Sequence, residues 1–298
     1  MTLRSILVPL DGSQFGEHAL SYAMSLARRA GARVDLVHVH ESATFPDLGP
    51  SVRTEDDWEA RRRSTEYIEG VARRVTDASP VPCRPLLLEG RVADTLCDFT
   101  STSAPDLIVL TTHGRGPLSR FWLGSVATDL VQRAPAPVLL VRPKETLPDL
   151  AADLAPRRIL IPLDGSPFGE QIIPLAVAVG GLAGAEYRLL RVVPPVITSS
   201  GGGLGGRTVA DQLRAEASGY LAGLTHRVPA FRTAGIQVAV DWPPAGAILA
   251  DAEANGVDLI ALETRGRSGL AKLLLGSVAD KVVRGATVPV LLRRPTGG

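Results

Sequence analysis

The strongest constraint on this chain is that it is written twice. Residues 6–17 read ILVPLDGSQFGE and residues 159–170 read ILIPLDGSPFGE; ten of the twelve positions are identical at an offset of 153. Toward the other end of each copy, LGSVATDLVQRAPAPVLLVRP at 123–143 and LGSVADKVVRGATVPVLLRRP at 275–295 agree at 13 of 21 positions, at an offset of 152. An offset that moves by one residue across a whole copy describes a duplicated domain, not a short-period solenoid. The domains are expected at 1–146 and 156–298. The joint PKETLPDLAADLAPR carries three prolines and mixed charges, as linkers do.

Each copy alternates strand and helix patterns. In the first, Ser5–Leu10, Arg33–His40, Arg84–Glu89, Asp106–Thr111 and Val138–Arg142 read as strands. Helical stretches lie between them: Ala19 to Ala30 on an apolar stripe closed by Gly31, about Glu55–Asp77, Ala93–Thr102, and one opening at Gly124-Ser125. In the second copy the strands fall at 157–163, 186–193, 236–241, 258–263 and 288–293. Such alternation requires right-handed crossovers and gives a parallel sheet covered on both faces. The fold class is therefore α/β: two Rossmann-like domains, each with a five-stranded parallel sheet. Ligands of such sheets bind at the carboxyl ends of the strands, where strand order reverses. Those are the places, after the first and fourth strands, where the two copies agree best.

Asp11 and Asp164 end the first strands and are followed by Gly-Ser. As a turn, Asp-Gly-Ser leads into a helix with Ser13 or Ser166 as N-cap and Pro167 suited to the first helical position. As a site, a carboxylate at the sheet's carboxyl edge accepts hydrogen bonds from a ligand. Both readings stay open on the residues alone. After the fourth strand come Thr112-His113-Gly114, nine residues, then Gly124-Ser125; the second copy has Thr264-Arg265-Gly266, nine residues, then Gly276-Ser277. Gly114 and Gly266 let main-chain amides approach a ligand, and the Gly-Ser pairs open helices whose free amides and dipole favour an anion. Arg115 and Arg267 follow the loop glycines, either reaching phosphates or simply solvated.

Composition narrows the partners. Only Lys144, Lys272 and Lys281 stand against 29 arginines, and no GxxxxGK pattern occurs, so a Walker-type phosphate loop is absent. A net charge of +1 removes the electrostatic case for nucleic acid. Cys83 and Cys97 make no disulfide framework, and no apolar run reaches the roughly 18 residues of a membrane span. A soluble, cytoplasmic protein is the expectation. No Ser-His-Asp order, paired carboxylates or HExxH supports hydrolytic chemistry, and His113 is matched by Arg265 in the second copy. SSGGGLGGR at 199–207 reads as a loop over the site, His38 and His40 as structural or ligand-flanking histidines, and Arg61-Arg62-Arg63 as a solvated, salt-bridged helix face.

The succession ILVPLDGS, LVHVH, TTHGRGPLSRFWLGSVA and PVLLVRP resembles the universal stress protein family over nearly the whole chain, as a tandem pair. The resemblance implies the adenine nucleotide alpha hydrolase-like variant of the fold and an adenine nucleotide, ATP, at the junction of the first and fourth strands. Adenine would contact Asp11 and the backbone of Val39. Thr111, Gly114, Arg115, Gly124 and Ser125 would face ribose and phosphates. Asp164, Val192, Gly266, Gly276 and Ser277 match those places in the second copy. The resemblance also implies a pseudo-dimer of the two domains through their fifth strands; a homodimer beyond it stays open, and a protein partner of unknown identity is expected to read the nucleotide state. The implied function is that of a nucleotide-dependent stress sensor or regulator. Slow ATP hydrolysis or self-phosphorylation, with Mg²⁺ bridging the phosphates, and a scaffold that no longer binds nucleotide, are the alternatives.

Two positions depart from the ATP-binding pattern of Gly, two residues, Gly, nine residues, Gly, then Ser or Thr: its first glycine is Thr111 here and Glu263 in the second copy. The Thr111 hydroxyl can bond a sugar or phosphate. An ionised Glu263 about 4 Å from a phosphate would cost roughly 4 kcal/mol at an effective dielectric near 20. The first copy is therefore expected to be the better nucleotide site, unless Glu263 faces the ribose hydroxyls.

Overall fold

The computed structural model describes residues 2–42, 55–112, 123–195, 204–264 and 276–294. It divides into two compact units, Thr2–Ala155 and Pro156–Gly298. In the first, the elements run β1 (Ser5–Leu10), α1 (His18–Ala30), β2 (Arg33–His40), α2 (Glu55–Ala78), β3 (Cys83–Glu89), α3 (Val92–Ser103), β4 (Leu107–Thr111), α4 (Ser125–Arg133) and β5 (Val138–Val141). The strands pair in parallel in the order β3-β2-β1-β4-β5. The second unit repeats this with β6 (Arg158–Pro162), α5 (Ile173–Gly181), β7 (Glu186–Val193), α6 (Leu204–Arg227), β8 (Gly235–Val240), α7 (Pro244–Ala254), β9 (Leu259–Glu263), α8 (Ser277–Gly285) and β10 (Val290–Arg293). Its order, β8-β7-β6-β9-β10, is the same pattern.

The strand order follows from the side chains. β1 and β4 are near-continuous apolar runs, buried along almost their whole length, as central parallel strands covered on two faces must be. β3 and β8 carry exposed positions throughout and lie at edges. With right-handed crossovers, α1 and α2 cover one face of the first sheet and α3 and α4 the other, where they pack on each other. α1 turns nine of its thirteen residues inward, so one helix supplies much of the core. Strand order reverses between β1 and β4, and between β6 and β9; the sheets open there at their carboxyl ends.

Two local readings are corrected. Part of the segment read as a linker is strapped to α1: the Arg28 guanidinium donates to the carbonyls of Leu150 (2.7 Å) and Ala152, and the Ser25 hydroxyl links Asp153 and the Leu154 amide (2.8 Å). The glycine-rich 199–207 segment is not loop throughout, because α6 starts at Leu204.

Candidate functional site

The chain leaves β1 through Asp11-Gly12-Ser13. Gly12 has φ +84°, and its counterpart Gly165 +80°, a conformation that other residues adopt only with strain. The Asp11 carboxylate oxygen Oδ1 accepts from the Ser13 amide (3.0 Å) and hydroxyl (2.7 Å), and that hydroxyl accepts from the Gly16 amide (3.1 Å). Asp164, Ser166 and Gly169 repeat the set at 2.9, 2.6 and 3.1 Å. Gly16 is needed because a Cβ there would run into Asp11 Oδ1; at Gly169 it would lie 2.8 Å from Asp164 Oδ1. This corrects the helix start. Ser13 is not the N-cap of α1, which begins at His18 after a further turn, and a short 3-10 turn at Gly169–Ile172 separates Ser166 from α5. The Asp-Gly-Ser sequence is used up in bending the chain, so the helix starts later.

At the end of β4 the chain is pinched. The Thr112 amide donates to Val141 O (2.9 Å), and the Gly124 amide donates back to Thr112 O (2.9 Å). In the second domain the Thr264 amide reaches Arg293 O (3.0 Å) and the Gly276 amide reaches Thr264 O (2.7 Å). Gly124 and Gly276 are the N-caps of α4 and α8. The intrahelical ladder of α4 begins with Thr128 N to Gly124 O, leaving the amides of Ser125, Val126 and Ala127 outside it, at the mouth of the sheet. Gly114, Arg115 and Gly266, with His113, Arg265 and Arg267, lie outside the described residues.

The first domain holds a cleft of about 470 Å³ at this point. Asp11, Val39, Thr111, Gly124 and Ser125 all line it, so five residues from four separate stretches of sequence meet. Its size lies within the roughly 300–1,000 Å³ of small-molecule sites. Leu96 of α3 and Ala127 add apolar lining. Asp164 follows β6, Val192 lies near the end of β7, and Gly276-Ser277 open α8, which are the matching places of the second domain.

A polar brace beside the Asp11 turn escaped the sequence reading. Glu17, buried, takes two hydrogen bonds of 2.9 Å from the Arg74 guanidinium of α2. Tyr67 of α2 lies against it, its hydroxyl pKa raised first by burial and then by the charge of Glu17. His38 stacks edge-on against Tyr67 (5.4 Å between centroids), and its Nδ1 bonds Leu10 O (2.8 Å). The second domain rebuilds the brace 153 residues later: Arg227 donates to Glu170 at 3.1 and 3.2 Å, Tyr220 is perturbed in the same way, and the Arg191 guanidinium lies 5.1 Å over the Tyr220 ring. The duplication register, followed past the matching motifs into α2 and α6, would have found it. His40 is spent on buried Asp57, with Nε2 3.2 Å from Oδ1. Of the arginine run, Arg61 bonds Glu89 at 2.7 Å and Arg62 lies near Glu66.

The two domains differ most at Thr111 and Glu263. Glu263 is 7% exposed, and among the described residues neither carboxyl oxygen has a hydrogen-bond partner. Burial pushes its pKa up to about 8, against a smaller opposing effect of Arg293. The repulsion expected from an ionised Glu263 is thus largely absent at neutral pH, because the group keeps its proton. Arg293 stands beside it in register on β10 and donates from Nη1 to Gln171 O (2.7 Å).

Comparison with known proteins agrees with this architecture. The profile of the Universal stress protein family matches residues 2–142 and again 156–294. A universal stress protein of Mycobacterium tuberculosis is 27% identical over 295 residues, covering 97% of this chain and 96% of that protein. A single-domain universal stress protein of Thermus aquaticus is 36% identical over 141 residues, 47% of this chain and 98% of its own length. Among solved structures, a functionally unknown protein of Pseudomonas aeruginosa superposes with a TM-score of 0.70 at 16% identity, covering 98% of this chain and 93% of its own. A universal stress protein of Archaeoglobus fulgidus does so with a TM-score of 0.66 at 17% identity, over 99% and 97%. With the family profile matched twice over almost its whole length, this chain belongs to the universal stress protein family, as a tandem two-domain member.

Proposed function

We propose that the chain binds an adenine nucleotide, ATP with Mg²⁺, in the cleft of the first domain, and acts in the cytoplasm as a nucleotide-dependent regulator whose bound state is read by a protein partner. The observation that carries this reading is the convergence of Asp11, Val39, Thr111, Gly124 and Ser125 on one cleft of about 470 Å³. The base lies against Val39, with its amino group toward Asp11. The brace of Glu17, Tyr67 and Arg74 keeps the Asp11 turn in place. The phosphates lie at the first turn of α4, where three amides and the helix dipole face negative charge. Each amide bond to a charged oxygen contributes roughly 1.5–3 kcal/mol, so three or four reach about micromolar affinity without a lysine. Mg²⁺ carried in with the nucleotide would neutralise part of the triphosphate charge. In the second domain Asp164, Val192, Gly276 and Ser277 have the matching roles, modified by Glu263.

Mass spectrometry of small molecules released on denaturing the purified protein, with calorimetric titration of ATP into it, tests the reading. An adenine nucleotide in the released fraction and saturable ATP binding support it. No released nucleotide and no binding of ATP, ADP, AMP or a cyclic form would leave a folded scaffold.

A further inference from the structure

Glu263 ends β9 where Thr111 ends β4, and Thr111 lines the first cleft. The matching point of the second domain therefore carries a carboxyl group, with both oxygens buried. Buried polar side chains in folded proteins are nearly always hydrogen-bonded. Here both oxygens of one buried side chain have no partner among the described residues, at the place where the other domain lines its cleft with Thr111. The described surroundings do not satisfy it. From β10, Arg293 lies in register on the same face, but its guanidinium bonds Gln171 O. From the 3-10 turn packed on β9, Glu170 is held by Arg227. After β6, Asp164 holds the Ser166 turn.

We infer that Glu263 is the ligand-reading residue of the second domain: as a neutral acid it donates a hydrogen bond to an oxygen of an anionic nucleotide, and on losing its proton it closes that crevice to anions. This rests on the nucleotide reading of the fold's mouth given above. A neutral carboxyl has one O–H donor, which a phosphate or ribose oxygen accepts, and one acceptor oxygen besides. The same group as a carboxylate has no donor and places a like charge against the ligand. Burial keeps the proton on at neutral pH and lets it leave near pH 8. The two domains then differ in kind. The first, with Thr111, binds independently of pH in this range; the second takes up a proton with its ligand whenever the medium is alkaline.

Equilibrium dialysis of the full chain against labelled ATP with Mg²⁺ at about pH 7 and about pH 9.5, with thermal unfolding as a check of folding, tests this. Two nucleotides per chain are expected at the lower pH and one at the higher. The affinity of the second site falls about tenfold per pH unit above its transition, because only the protonated fraction binds. Glu263→Gln, a neutral donor at every pH, keeps two per chain throughout; Glu263→Thr, which installs the first domain's residue, does so if the glutamine variant unfolds. An infrared carbonyl band of a neutral carboxylic acid, present at neutral pH and lost in either variant, reports the proton independently of ATP. A second site unaffected by pH, or strengthened as pH rises, or the absence of that band, overturns the inference. No nucleotide bound at any pH, with the band present, rejects the nucleotide reading itself and the ligand assigned to Glu263 with it.

Discussion

Arg74 on α2 closes two hydrogen bonds of 2.9 Å onto Glu17, and 153 residues further on Arg227 does the same to Glu170 at 3.1 and 3.2 Å. The pairs are not equally buried. The Glu17 side chain is 9% exposed and that of Glu170 26%. Removing the arginine leaves a charge without a partner, and the cost follows how far water can reach it. Arg74→Ala is therefore expected to lose about 2 kcal/mol of stability, and Arg227→Ala less than about 1 kcal/mol. Denaturant unfolding of the two single variants would measure this. Equal losses would mean that the brace carries no buried charge in the first domain.

The Asp-Gly-Ser turns depend on glycines with positive φ, at Gly12 and Gly165. Gly12→Ala and Gly165→Ala should each destabilise by roughly 1–2 kcal/mol, since a Cβ is strained in this region. Gly12→Asn should cost less, because asparagine enters it more readily. Unfolding midpoints decide: an alanine variant as stable as the parent would mean that the turn relaxes to a negative φ at no cost.

The element map was legible because the strands are apolar runs bounded by turn residues. β1 and β2 occupy Ser5–Leu10 and Arg33–His40, the segments the pattern marks. The mouth of the sheet was legible through the repeat. What one copy alone leaves ambiguous, such as Asp11 before Gly-Ser, gains meaning when Asp164 appears in the same setting. The helix start was misplaced because Ser13 looks like an N-cap in sequence, and only its bonds to Asp11 and Gly16 show it spent on the turn. The brace was hidden because Glu17 and Arg74 are 57 residues apart and each resembles an ordinary surface charge. The state of Glu263 could not be read at all. It depends on the 3-10 turn at Gly169–Ile172 packing over β9, a tertiary event without a local signature.

Glu263 also makes stability depend on pH. Its folded pKa, about 8, lies above the 4.5 of an unfolded chain. Between these values the folded state holds a proton that the unfolded state has released, so stability falls as pH rises from about 4.5 to about 8 and levels off above. At pH 7 the loss from this one group is roughly 3 kcal/mol. Glu263→Gln removes it. The stability gap between variant and parent should widen steadily from about pH 5 to about pH 8 and then stay constant. Parallel pH profiles would mean that Glu263 is ionised in the folded protein.

Ser125 separates helix stability from ligand binding. It is exposed and is the first residue of α4, where the dipole favours an acidic side chain by roughly 0.3–1 kcal/mol. Ser125→Asp should therefore leave the melting temperature unchanged or slightly raised. The same carboxylate would face the phosphates of a bound nucleotide. A like charge about 4 Å away costs up to roughly 4 kcal/mol before screening, and solvent at this exposed position reduces that to a loss of about tenfold or more in affinity. Calorimetric titration of ATP, compared with adenosine, reads the difference: ATP binding weakens while adenosine binding, which brings no phosphate, is unchanged. An ATP affinity equal to the parent's would place the phosphates away from α4, and an equal loss for adenosine would point to a distorted cleft instead of a charge effect.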